Sequence, residues 1–120
     1  MREDVLNTLL TELNDTSADI EASAVISTDG LMIASKLPDE LEPDRVGAMS
    51  AAILMLGDRT ARELGRGHLE QVLITGEDGY VLLAHAGKQA VVTVMATADA
   101  KLGLIFLDVK RAAADIAKVI

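Results

Sequence analysis

Cysteine is absent from the chain, which removes disulfide frameworks and thiol chemistry from consideration. Aromatic residues are almost absent too: Tyr80 and Phe106 are the only two. A core built from this sequence has to be aliphatic. Cations are outnumbered, 11 Lys and Arg against 19 Asp and Glu, for a net charge of -8. That balance argues against nucleic acid, whose phosphates demand clustered Lys and Arg, and against an anionic membrane surface. The uncharged run from Val46 to Gly57 is too short to span a bilayer, and the first residues, MREDVLN, lack the apolar stretch of a signal peptide. A cytoplasmic protein without membrane insertion is expected. At 120 residues one domain over 1–120 is expected, with no linker, internal repeat or low-complexity stretch to mark a second.

Recognisable chemistry is scarce as well. Gly87-Lys88 resembles the end of a phosphate-binding loop, but Leu82 stands where the first glycine belongs and Gln89 where Ser or Thr belongs. Gly65-Arg66-Gly67 opens like a dinucleotide fingerprint, but Glu70 holds the third glycine position and the segment leads into a strand. The two histidines, His68 and His85, form no His-Glu-x-x-His pattern; His85, in a strand, reads as half-exposed or hydrogen-bonded. Asp29 and Asp78 each precede a glycine, so turn geometry accounts for them better than paired acid–base catalysis does. Ser23, Ser27 and Ser35 have no partnered His–Asp arrangement. The expectation is a non-enzyme with no cofactor and no metal.

What is present centres on Pro43 to Gly67, PDRVGAMSAAILMLGDRTARELGRG. Pro43 suits a first helical turn, Asp44 the positive end of the helix dipole, and Gly65 or Gly67 the left-handed residue that stops a helix. The segment reads as one helix roughly 30 Å long. From Val46 to Leu56 only Ser50 is polar. Val46, Met49, Ile53, Leu56 and Leu64 form one apolar stripe, with Ala48, Ala52 and Met55 on another side. A helix apolar all round has to be buried all round. It is either a fully enclosed central helix or one that lends its second face to a partner, and a chain this short has little material to enclose both sides. Gly47, Ala48, Ala51 and Ala52 would let a partner's backbone approach closely.

Around that helix the pattern is regular. Glu3 to Leu13 carries Val5, Leu6, Leu9, Leu10 and Leu13 at helical spacing. Ala22 to Thr28 and Leu31 to Ser35 read as strands joined by Asp29-Gly30, a hairpin signal. Pro38 to Asp44 is an acidic loop. Leu69 to Thr75, Tyr80 to Ala86 and Ala90 to Thr97 read as three strands with tight turns between them. Val72-Leu73-Ile74, Val81-Leu82-Leu83 and Val91-Val92 are apolar at consecutive positions, which predicts a sheet covered on both faces. Asp99 is a plausible N-cap for a last helix, Ala100 to Lys118, whose stripe is Leu102, Ile105, Phe106, Val109, Ala113 and Ile116. The order α-β-β-α-β-β-β-α predicts an α/β (α+β) fold.

This order resembles the Roadblock / dynein light-chain family. The residues that carry the likeness are AVISTDGLMIAS (Ala24 to Ser35), GAMSAAILMLGDRTARELGRG (Gly47 to Gly67), QVLITGEDGYVLLAHAG (Gln71 to Gly87) and LGLIFLDVKRAAADI (Leu102 to Ile116). The resemblance covers essentially the whole chain, and the short, tail-free sequence is most similar to bacterial MglB-type proteins. It implies a profilin/longin-like, five-stranded antiparallel sheet with the middle helix on one face and the terminal helices on the other. It also implies a homodimer in which the long helices pack antiparallel and the third strands pair edge to edge. Gly47, Ala48, Ala51, Ala52 and Met55 are then interface candidates, together with Val72 and Ile74 on the third strand. Functionally the resemblance implies a module that binds and regulates a Ras-like, MglA-type small GTPase, or a light-chain-like scaffold with no effect on GTP hydrolysis. The candidate partner-binding residues are Asp58, Arg59, Arg62, Glu63 and Arg66, which share helix surface at spacings of one to four. A solvated helix end accounts for the same five residues.

Overall fold

The computed structural model describes residues 2–120. The elements are α1 (Arg2–Thr16), β1 (Ile20–Ser27), β2 (Met32–Lys36), α2 (Pro43–Glu63), β3 (Gln71–Gly76), β4 (Gly79–Ala86), β5 (Ala90–Thr97) and α3 (Leu102–Val119). The strands form one antiparallel sheet in the order β2-β1-β5-β4-β3. This is the expected α/β architecture, with β2 and β3 as its two edges.

Turn chemistry sets the hairpins. After β1, Gly30 adopts φ +92°, a left-handed conformation that costs glycine little. The hairpin closes with the Ser27 amide donating to the Leu31 carbonyl at 2.8 Å. Glu77 and Asp78 turn the chain between β3 and β4, whose last pair is Gly76 with Gly79.

Both faces of the sheet are covered over β4 and β5, as the consecutive apolar residues predict: Leu82 and Leu83 are both buried, and so are Val91 and Val92, whereas at the β3 edge Leu73 and Ile74 are 37% and 39% exposed because no strand or helix lies beyond them. α1 and α3 cover one face. Leu6, Leu10 and Leu13 of α1 and Ile105, Val109, Ala113 and Ile116 of α3 join the alternate strand residues Val25, Leu82, Ala84, Val92 and Val94 in an aliphatic core. α2 lies alone on the other face, where Leu54, Leu83 and Val91 are buried with Ile53, Leu69, Val72 and Val81 packed around them. A buried hydrogen bond from Thr93 Oγ1 to Ser50 Oγ, 2.9 Å, ties this helix to the central strand.

Two local expectations shift. α2 ends at Glu63, short of Gly67, because Gly65 at φ +69° stops it. The Gly65 amide bonds the Arg62 carbonyl and the Arg66 amide bonds the Ala61 carbonyl, the paired hydrogen bonds of a Schellman end. Asp99 does not cap α3. The Ala100 amide turns back to the Thr97 carbonyl, so the helix starts later, with Lys101 at the cap position. The Lys101 amide is met by Asp19 Oδ2 at 3.3 Å, from the far side of the sequence. At the start of α2, Glu42 is the cap, its Oε1 accepting the Asp44 amide at 3.2 Å, with Pro43 in the first turn.

Candidate protein-interaction surface

α2 crosses its face of the sheet from the β1–β2 hairpin to the β3 edge. At its start, a Cβ on Gly47 would lie 2.7 Å from the Gly30 carbonyl oxygen. At its other end, Gly57 sits against Val72 and Leu69 of the β3 approach. The residues it turns to the sheet are Gly47, Ser50, Ala51 and Leu54. They recur at i, i+3, i+4 and i+7, one helix face, and three of the four are small, so the helix axis sits close to the strands.

This reverses part of the face assignment made from the sequence. Met49 is 53% exposed, Leu56 64% and Leu64 67%, so most of the apolar stripe of Val46, Met49, Ile53, Leu56 and Leu64 is on the outside. Gly47 and Ala51, expected to receive a partner, are buried within the protomer. Ala48, Ala52 and Met55 do face outward, alongside Met49 and Leu56. The outward half-turns from Ala48 to Leu56 thus make an apolar surface beside an unpaired sheet edge. On that edge Val72 is half-buried beneath α2 and Ile74 is 39% exposed.

The charged second half of α2 divides similarly. Asp58 turns inward and grips His85 of β4: the imidazole Nε2 lies 2.9 and 3.0 Å from the two carboxylate oxygens, both side chains about one-third exposed. This contact, between residues 27 apart in sequence, links α2 to the sheet and takes Asp58 out of the outward set. The pair borders a cavity of about 240 Å³ with Thr28, Ala51, Leu54, Met55 and Val91. The expected hydrogen bond of His85 was legible from its strand setting, but its partner was not.

Arg59, Arg62, Glu63 and Arg66 remain exposed. Arg59 Nε donates to Glu63 Oε1 at 3.0 Å, one turn along. Arg62 Nε donates to the Asp58 carbonyl at 3.4 Å and Arg66 Nε to the Leu64 carbonyl at 3.1 Å. The first three line a shallow open depression, while Arg66 lies apart beside Ala61, His68 and Leu69. Among the described residues no group of three or more His, Asp or Glu is placed to hold a metal ion, and no helix is long and apolar enough to cross a membrane.

The sequence model of the Roadblock/LC7 domain matches residues 6–96, from within α1 to the end of β5. The chain belongs to the Roadblock/LC7 family. A relative in Methanocaldococcus jannaschii, an uncharacterized protein, is 43% identical over 112 residues, 93% of this chain and 96% of that one. This Roadblock/LC7 chain is also similar in fold to the gliding protein MglB of Thermus thermophilus, with a TM-score of 0.88 at 20% identity over 98% of this chain and 90% of that one. Profilin of Schizosaccharomyces pombe gives a TM-score of 0.69 at 11% identity over 95% of this chain and 98% of that one. The profilin-like Roadblock fold is therefore as expected. The expected bacterial character is not supported, because the sequence relative is archaeal.

Proposed function

We propose that this chain is a non-catalytic homodimeric module that binds and regulates a Ras-like small GTPase of the MglA type. The observation that carries the reading is the outward face of α2. Ala48, Met49, Ala52, Met55 and Leu56 expose apolar surface on a helix whose other side is already buried. Covering that face by the same helix of a second copy, antiparallel, removes it from water. β3 pairing with β3 at the same time satisfies the open edge. Small residues at Ala48 and Ala52 allow a close crossing, and Val72 and Ile74 lie on the strand that would join the sheets. Family membership and the likeness to MglB support the same reading.

Two antiparallel copies of α2 present an apolar centre with Arg59, Glu63 and Arg62 toward each end. Arginine can meet carboxylates in two-point fashion, and rim charges steer encounter and set register. Having no phosphate-binding loop of its own, the module would act by binding one state of the GTPase better than the other.

The deciding experiment titrates the purified chain with an MglA-type GTPase loaded with GTP, reading binding and phosphate release. The double variant Arg59→Glu, Arg62→Glu should weaken binding about tenfold with circular dichroism and sedimentation unchanged. Binding with altered phosphate release identifies a regulator; binding with phosphate release unaltered identifies an adaptor. No binding by the wild-type chain would refute the GTPase reading.

A further inference from the structure

α1 and α3 lie side by side on the sheet face opposite α2, and their outer surfaces are opposite in charge. On α1 the exposed charges are Glu3, Asp4, Glu12 and Asp15 against Arg2 alone. On α3 they are Lys110, Arg111 and Lys118, all basic. The acids of α3, Asp108 and Asp115, are half-buried in the cleft toward α1. The two helices together carry six acids and four cations, so most of the chain's net charge of -8 lies elsewhere, and this face repels a copy of itself little.

Each outer surface also has the spacing of a helix seam. Leu104, Leu107, Arg111, Ala114 and Lys118 follow one another at steps of three and four, and all are exposed, the two leucines by 57% and 59%. Asp4, Thr8, Thr11 and Asp15 do the same on α1. Residues at such steps share one side of a helix, the side that mates with a second helix. The threonines are already satisfied within α1. Thr8 Oγ1 donates to the Asp4 carbonyl at 3.0 Å and Thr11 Oγ1 to the Asn7 carbonyl at 2.9 Å, so covering them leaves neither hydroxyl without a partner. The charges are free to pair elsewhere. Among the described residues Asp4, Asp15, Lys110 and Lys118 form no ion pair, and Arg111 reaches Asp108 only at 3.8 Å. A second copy of the chain supplies the matching surface. Under a twofold that lays α1 of each copy on α3 of the other, the same match is made twice. The alternative, α1 on α1 and α3 on α3, sets acid against acid and cation against cation, which is unfavourable.

We propose that the outer face of α1 and α3 is a self-association surface, on which the acidic stripe of α1 packs against the leucine and cation stripe of α3 in another copy of this chain. The contact is separate from the α2 and β3 interface proposed above, because it lies on the other side of the sheet. A dimer joined through α2 and β3 carries two such faces and so assembles further as concentration rises.

The test is sedimentation of the full chain from low to high micromolar concentration, in low and in molar salt. At low micromolar concentration the chain should sediment as the proposed dimer. Larger species should form at high concentration in low salt and recede in molar salt, where charges beyond about 3 Å are screened. Two charge-reversed chains separate the stripes: Asp4→Lys with Asp15→Lys, and Arg111→Glu with Lys118→Glu. Each alone should associate through this face about tenfold or more weakly. An equimolar mixture of the two should recover association, because α1 of each then opposes α3 of the other with opposite charge. Leu104→Ser with Leu107→Ser should weaken association at either salt, with circular dichroism unchanged. Wild-type association kept by either reversed chain, or a mixture that fails to recover it, overturns the proposal. A wild-type chain that stops at the dimer, with neither reversal affecting that dimer, overturns this inference and leaves the α2 and β3 reading standing. A single monomer-to-dimer step lost in both reversed chains and recovered in their mixture supports this face and overturns the other interface. A chain monomeric throughout overturns both.

Discussion

The two faces of the sheet are built to different depths. On one, two helices and the alternate strand residues bury a continuous core that runs from Leu6 to Ile116. On the other, a single helix covers a smaller cluster centred on Leu54, Leu83 and Val91. The difference follows from geometry as much as from hydropathy. α1 and α3 pack against each other as well as the sheet, so the large aliphatic residues on their inner sides have partners in two directions. α2 has no helical neighbour in the protomer. It therefore turns small residues to the sheet, where only a thin layer is needed, and leaves Met49, Met55 and Leu56 outside. The deep face supplies stability, and the shallow face leaves apolar side chains outside.

Neighbouring alanines give the largest test of that contrast. Ala51 is 8% exposed, while Ala52 is outward. Ala51→Arg buries an unpaired charge and should cost about 4 kcal/mol or more, seen as loss of the folded state in urea melts. Ala52→Arg should leave a folded protomer, its charge disrupting the helix crossing of the proposed dimer instead, so that sedimentation reports a monomer. Equal unfolding by both variants would erase the distinction between the two sides of α2.

A smaller effect separates the two α2 glycines. Gly47→Ala brings a methyl to 2.7 Å from the Gly30 carbonyl, a rigid backbone atom. It should lose about 1–2 kcal/mol despite the better helix propensity of alanine. Gly57→Ala meets the side chains of Val72 and Leu69 at 3.0 and 3.1 Å. These can give way, so propensity and crowding should nearly cancel, to within about 0.5 kcal/mol. If chemical denaturation ranks the two in the reverse order, the hairpin end of α2 is not its tight point.

The smallest effect concerns the anchor of the helix to β4. Asp58→Ala removes the contact with His85, which is about one-third exposed on each side. Solvent screens such a pair, so a loss of about 1 kcal/mol is expected. Glu63→Ala, which removes only the exposed partner of Arg59, should stay within about 0.5 kcal/mol. A larger loss from Glu63→Ala than from Asp58→Ala would mean that the outward charges, and not the inward one, hold α2 in place.

The element order, the strand interiors, the Asp29-Gly30 hairpin and the two-sided sheet were all readable from the chain, because each depends on periodicity and turn chemistry within a dozen residues. The last strand, Ala90 to Thr97, was placed to the residue. The inner stripe of α3 was also legible, since Ile105, Val109, Ala113 and Ile116 recur at helical spacing against polar neighbours. The orientation of α2 was not. A helix apolar on every side carries no contrast from which to read its inner face, and large residues are the ordinary choice for a core. Tertiary structure decided otherwise, through contacts from other parts of the chain: the Gly30 carbonyl against Gly47, Thr93 against Ser50, and His85 against Asp58. Asp99 failed as a cap for the same reason, because the acid that meets the start of α3 is Asp19, 82 residues earlier than the amide it accepts. Local sequence determined which segments fold into which elements. Which side of the central helix faces inward was set by groups brought to it only when the sheet had formed.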